Sequence, residues 1–214
     1  MLQIVFMSLS SIEEILADFR EGKFVILVDD EGRENEGDLL LAAQHVTAQK
    51  INFMSKNAGG LLCLAMAPEL IEQLELPLMS SLKHKSGRHC AAFTISIDAA
   101  EGIESGISAA DRARTILAAT NKQAKSTDVI SPGHIFPLKA KAGGVLERPG
   151  HTEAGVDLAK LSGLTQACVL CEMINEEGSI SRLLDLKKFS EKHNIKIGLV
   201  ADLIQYRLDR ETSA

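Results

Sequence analysis

The chain has 214 residues, 45% hydrophobic and 24% charged, which is ordinary for a soluble globular protein and enough for one large domain or two small ones. The stretch Asp29 to Asp38 (DDEGRENEGD) holds six acids and one arginine, so −5 of the formal net charge of −6 is local and the remainder is near neutral. That excludes a general steering field, and with no Trp, one Tyr and no basic stripe there is no footprint for nucleic acid.

The N-terminus, MLQIVFMSLSSIEEILADF, is apolar at first but lacks the basic region of a signal peptide. Ser10 or Ser11 followed by Glu13 or Glu14 is a capping box, and Ile12, Ile15, Leu16 and Phe19 follow at helical spacing until Gly22. FVILV (24–28) and LLLAA (39–43) read as buried strands on either side of the acidic stretch, which is too long for a tight turn. Thr47 caps a helix through Asn57, LLCLAM (61–66) is a strand, and PELIEQL (68–74) is a helix with Pro in its first turn. Residues 76–92 have no period and form a long loop of the kind that serves function or mobility. FTISID (93–98) alternates as a strand, Ser108 caps SAADRARTILAAT, and HIFPLKA (134–140) is extended. GGVLERPG is a glycine-rich turn before the helix HTEAGVDLAKLSG. ACVLCEMI is a buried strand, SRLLDLKKFSEKHN a helix, IKIGLVA a strand and ADLIQYRL a last helix. Helices and strands mix without a strict repeat, which predicts one α/β domain over 1–214, of α+β character, with a mixed sheet flanked by helices. No run approaches the roughly 18 apolar residues of a membrane span.

Five features could carry chemistry. The acidic stretch fails the EF-hand spacing, but Gly32 and Gly37 bracket RENE, and its carboxylates are hard ligands for Mg²⁺ or Mn²⁺. Arg33 either neutralises those acids or joins them around an anionic, metal-bound ligand. In ERPGHTEAG, Arg148 and the opening of a helix at His151 and Thr152 form an anion cradle; a plain helix cap at Thr152 is the competing reading. In SPGHIFPL two prolines hold His134 in a defined extended turn, either as a structural hydrogen-bonder or as a proton-transfer group. Glu172 lies in an otherwise apolar strand, where it either sits at a site or alternates out to solvent. Cys168 and Cys171 lack the partners of a zinc or redox motif and read as core, as does Cys63 unless it lines a pocket. Four scattered cysteines do not make a secreted disulfide scaffold, so a reducing cytoplasm is expected. Hydrolase-elbow, dinucleotide and P-loop motifs are missing from the sequence.

DDEGRENEGDLLLAA, GISAADR, SPGHIFPL and ERPGHTEAGVDLAKLSG, in that order, resemble the 3,4-dihydroxy-2-butanone 4-phosphate synthase family of riboflavin biosynthesis, over about residues 10–208. The resemblance implies an α/β homodimer with active sites near the subunit interface. It implies a Mg²⁺-dependent lyase, with one or two ions per site, that converts D-ribulose 5-phosphate to L-3,4-dihydroxy-2-butanone 4-phosphate and formate. In the reaction it implies, a proton leaves C3 to give an enediol, C1 loses its hydroxyl, the skeleton rearranges and C4 departs as formate. Carried over by motif, Glu34 and His151 hold the metal; Arg33, Glu34 and Asp38 contact the sugar; Arg148, Pro149, Gly150, His151 and Thr152 hold the phosphate. His134 and Glu172 fall at the essential catalytic positions, with Glu172 also on the substrate. Glu36, Cys63, Ser105 and Asp111 are secondary candidates.

The chain departs from the family pattern at Ala91 and at Glu104-Ser105, where threonines are usual; an acid turned into a phosphate pocket would weaken binding. Many relatives carry a fused GTP cyclohydrolase domain, and a monofunctional form is expected here. The competing readings are another Mg²⁺-dependent lyase or isomerase of pentose phosphates, and a degenerate member acting as an interaction protein.

Overall fold

Ser11 accepts a hydrogen bond from the Glu14 N–H (3.3 Å) while Glu14 Oε2 accepts one from the Ser11 N–H (3.0 Å), so the capping box closes the start of helix α1 (Ile12–Arg20). Its apolar stripe, Ile12, Ile15, Leu16 and Phe19, is buried as the spacing predicts. The structure is a computed structural model that describes residues 9–79 and 91–212. Strands β1 (Val25–Val28) and β2 (Gly37–Ala42) form an antiparallel hairpin around the acidic loop. After them come α2 (Ala48–Asn57), capped by Thr47, then β3 (Gly59–Met66), α3 (Pro68–Gln73) and β4 (Ile97–Ala99). The chain continues through α4 (Ala109–Ala119), β5 (Val129–Lys139), α5 (His151–Leu161), β6 (Ala167–Met173), α6 (Leu183–His193), β7 (Lys196–Leu199) and α7 (Val200–Glu211).

One mixed seven-stranded sheet runs in the order β4-β5-β3-β6-β2-β1-β7, with β1–β7 and β3–β5 parallel and the other pairs antiparallel. Strand alternation divides the core in two. Leu39, Leu41, Leu64, Val169 and Cys171 face α2, α4 and α6, whereas Leu40, Ala42, Ala65, Cys168 and Leu170 face α1, α5 and α7. Leu40 is fully buried in this second layer, where truncation to Ala costs about 2–5 kcal/mol. Cys63, Cys168 and Cys171 are free and buried, the core reading of the C-x-x-C. Among the described residues no helix is long and apolar enough to cross a membrane.

Two expected strands are shorter than their patterns. FTISID pairs regularly only from Ile97, because Phe93 and Thr94 bridge to different neighbours, Leu138 and Leu78, before the chain settles on β5. In IKIGLVA the helix α7 takes over at Val200, whose side chain is buried in the same layer as α1 and α5. Within the expected loop, residues 80–90 lie outside the described ones.

Candidate active site

Alternation places three functional side chains on the α5 face of the sheet: Asp38 follows the parity of Leu40, Glu172 that of Leu170, and Cys63 that of Ala65. Asp38 and Glu172 are direct partners across β2 and β6. Helix α5 begins over this end of the sheet, bringing His151 Nδ1 to 3.7 Å from Asp38 Oδ1. Arg33, Glu34 and Glu36 from the acidic loop, with Arg148, His151 and Thr152 from the start of α5, close a cavity of about 210 Å³ over Asp38, Cys63 and Glu172. Ala91 and Phe93 complete the wall, so one departure from the family pattern lies at the site.

Burial governs the electrostatics. Asp38 is 2% exposed, and burial first, then neighbouring Glu172, Glu36 and Glu34, push its carboxyl up to about 6 against the opposing pull of His151. Burial and Glu34 also raise Glu36. The Cys63 thiol is pushed up by burial and by Glu172 and Asp38, so it is a neutral wall residue and no nucleophile. Glu172 is exposed on the open side of its strand and also lines the cavity, so the two readings of it coincide.

Several side chains were invisible as site residues in the sequence. Asp29, which the sequence does not single out from the other acids of the loop, is 5% exposed. Its two oxygens accept from Arg33 Nη1 (2.5 Å) and the Glu36 N–H (2.8 Å), which folds the loop back on itself. Arg33 Nη1 also donates to Glu34 Oε2 (2.7 Å). Glu153, 1% exposed, accepts from Arg148 Nη1 (2.5 Å) and the Lys141 N–H (3.0 Å), and so aims the arginine. The expected cap at Thr152 is corrected: Gly150 takes the cap position, and no side chain caps α5. Thr152 is free to line the cavity beside a helix N-terminus that favours anions. Pro149 and Gly150 shape the approach to α5 without lining the cavity, the Gly150 N–H donating to the Arg148 carbonyl (2.8 Å).

The donor set fits a hard divalent cation. Ligand atoms of Asp29, Glu34 and His151 lie within 4.8 Å of one another. His151 Nε2 and Asp38 Oδ1 are buried with no hydrogen-bond partner among the described residues. With both oxygens of Asp29 already hydrogen-bonded, Glu34 and His151 are the better ligands and Asp29 the anchor of the loop.

His134 stands apart on β5 and does not line the cavity. Its Nδ1 is 2.8 Å from Asp98 Oδ2, and its N–H donates to Asp98 Oδ1 (3.0 Å), so one buried carboxylate fixes both backbone and ring. Gly133 makes this possible: a Cβ there would overlap the backbone of Ile97 and Asp98. Gly106, at φ +85°, is pressed against the same Asp98 and His134 pair. Asp111 accepts from the N–H groups of Glu104, Ser105 and Gly106 (3.3, 3.3 and 3.1 Å) and holds that loop next to His134. Burial acts to raise the Asp111 carboxyl, but these N–H groups and the Ser108 cap outweigh it and lower it. Ser105 and Asp111 therefore belong to the surroundings of His134, as does Glu104, and not to the cavity.

The model of the family described as 3,4-dihydroxy-2-butanone 4-phosphate synthase matches residues 13–206. A synthase of that name from Neisseria meningitidis is 55% identical over 204 residues, 95% of this chain and 56% of the relative. The chain thus spans about half the length of the curated relatives it matches. Among solved structures, RibBX from A. baumannii, a two-domain 3,4-dihydroxy-2-butanone 4-phosphate synthase, superposes with a TM-score of 0.89 at 55% identity, over 92% of this chain and 58% of that one. A synthase of the same name solved in complex with two magnesium ions gives 0.89 at 34% identity, over 94% and 98%.

Proposed function

The chain belongs to the 3,4-dihydroxy-2-butanone 4-phosphate synthase family, and on that premise we propose that it is a single catalytic domain that converts D-ribulose 5-phosphate to L-3,4-dihydroxy-2-butanone 4-phosphate and formate. The observation that carries the reading is the convergence, over one sheet end, of cation ligands, an arginine beside an open helix N-terminus, and a buried carboxylate that titrates near 6. Glu34 and His151 hold Mg²⁺, and Mn²⁺, which shares its preference for carboxylate and water oxygens, substitutes. Bound there, the cation supplies Lewis-acid stabilisation of negative charge on adjacent substrate oxygens. The relative solved with two magnesium ions supports the choice of cation.

Arg148, kept in place by Glu153, takes the phosphate together with the Thr152 hydroxyl and the first N–H groups of α5. Arg33 and Asp38 orient the sugar. Near neutral pH Asp38 stands close to its titration point, so its carboxyl gives or takes a proton without a large penalty, with Glu172 as the second carboxylate across the strands. His134 is a further proton-transfer group. The chain works as a homodimer in which His134 of one copy meets the cavity of the other, a reading supported by its exposure and its place outside the cavity of its own chain. The free buried thiols suit a cytoplasmic setting.

The test is incubation of the protein with ribulose 5-phosphate and Mg²⁺, with and without chelator, while formate is measured. Metal-dependent formate release is expected. Release of an isomerised or epimerised pentose phosphate instead would favour a different lyase or isomerase on the same site, and no turnover at all would overturn the assignment.

A further inference from the structure

Glu34 sits in a loop between two strand ends, and its side chain must point inward to meet His151. On the outer side of the same loop the backbone carbonyls of Glu34 and Asn35 both turn to one group, the guanidinium of Arg182. Arg182 Nη1 donates to the Glu34 carbonyl (2.9 Å) and, closer still, to that of Asn35. Its two N–H bonds match two successive acceptors, and the left-handed Asn35 (φ +53°) brings those carbonyls to the same side. Arg182 is itself tied down. It is the cap residue of α6, its N–H donates to Asp185 Oδ2 (3.2 Å), and the preceding Ser181 N–H donates to the Met173 carbonyl (2.8 Å), next to Glu172. The Arg182 side chain, outside the cavity, therefore holds the peptide that carries the proposed ligand, while its own backbone and that of Ser181 tie it to the start of α6 and the end of β6.

We propose that Arg182 is a positioning residue for cation binding: by clamping the outer edge of the Glu34–Asn35 peptide it sets the direction in which the Glu34 carboxylate points. The inference rests on the reading of Glu34 as a cation ligand. Arg182 is exposed, so water can satisfy both carbonyls when it is removed, and the fold loses little. What is lost is the fixed orientation of the loop, and the cost falls on cation affinity.

The experiment titrates Mn²⁺ and Mg²⁺ into the full chain by calorimetry for the parent, Glu34→Gln, Arg182→Ala, Arg182→Met and Arg182→Lys, with thermal midpoints taken in chelator. Arg182→Met keeps the stem and no donor, so loss of packing is separated from loss of hydrogen bonds. Both donor-free variants are expected to bind the cation about tenfold more weakly at a nearly unchanged metal-free midpoint. Arg182→Lys should recover part of the loss, and turnover of Arg182→Ala should return toward the parent's at saturating Mg²⁺. Parent-like affinity in either donor-free variant while Glu34→Gln is weakened overturns the role of Arg182 alone. Parent-like affinity in Glu34→Gln overturns the ligand assignment and this inference with it.

Discussion

Asp38, His151 and Cys63 are buried together at one end of the sheet, whereas His134 is 41% exposed at its side chain and, among the described residues, is hydrogen-bonded by Asp98 alone. The first region obtains its properties from desolvation: Asp38 is raised, Cys63 is kept neutral, and His151 Nε2 is buried without a partner among the described residues. The second obtains a fixed ring from a hydrogen bond and leaves the rest of the imidazole to whatever closes over it. The proposed cation site, on the β1–β2 loop and the start of α5, and the His134 ring on β5 are thus built by different physics, and each should fail separately.

The largest effect is expected at the exposed end. His134→Gln should lower turnover about a thousandfold while cation affinity stays at the parent's value in calorimetry. A joint loss of both would break the separation. Asp98→Asn should cost about tenfold and move the pH profile of kcat, because Asn can no longer hold the same imidazole tautomer by charge. At the buried end, Glu34→Gln should weaken Mg²⁺ binding by roughly a hundredfold, since removing a ligand should exceed the loss of a supporting hydrogen bond. Glu153→Gln should raise KM for the phosphorylated substrate about tenfold with kcat nearly kept, because Arg148 loses its charged anchor.

The smallest effect is on stability, and its sign is fixed by Asp38. A buried carboxyl raised to about 6 binds its proton more tightly in the folded chain than in the unfolded one. Stability therefore falls as pH rises from about 4 to about 6, and the penalty persists above that range. Metal-free Asp38→Asn should be more stable than the parent at pH 7 by about 2 kcal/mol, roughly 5 °C in Tm, and should lose that advantage near pH 4. A thermal scan across pH checks it; equal midpoints at pH 7 would mean that the carboxylate is solvated or paired.

Much of this was legible in the sequence because period and caps act locally. The Ser11–Glu14 box, the Thr47 and Ser108 caps and the buried strand ACVLCEMI are all found as read. The acidic loop drew notice through charge density, six acids between two apolar strands, and the structure brings Glu34 of that loop to His151. What escaped depends on tertiary distance. Asp98 looks like an ordinary strand end until the sheet sets it beside His134, 36 residues on. Glu153 looks like a first-turn helix acid until Arg148 folds back onto it. Asp29 could not be told from its neighbours Asp30 and Glu31 by composition, and only burial singles it out. The short strands at Phe93 and Ile195 were misjudged because a period-2 pattern does not say where pairing stops.

The separation of the two regions is tested most directly by co-expressing Glu34→Gln and His134→Gln chains and assaying them at a Mg²⁺ concentration that saturates the parent but not Glu34→Gln, where each variant alone releases little formate. If His134 of one copy serves the cavity of the other, each mixed dimer regenerates one intact site, and formate release should return to about a quarter of the parent's. If both groups act within one chain, every site in the mixture carries a lesion, and activity no greater than that of the separate variants would contradict the account.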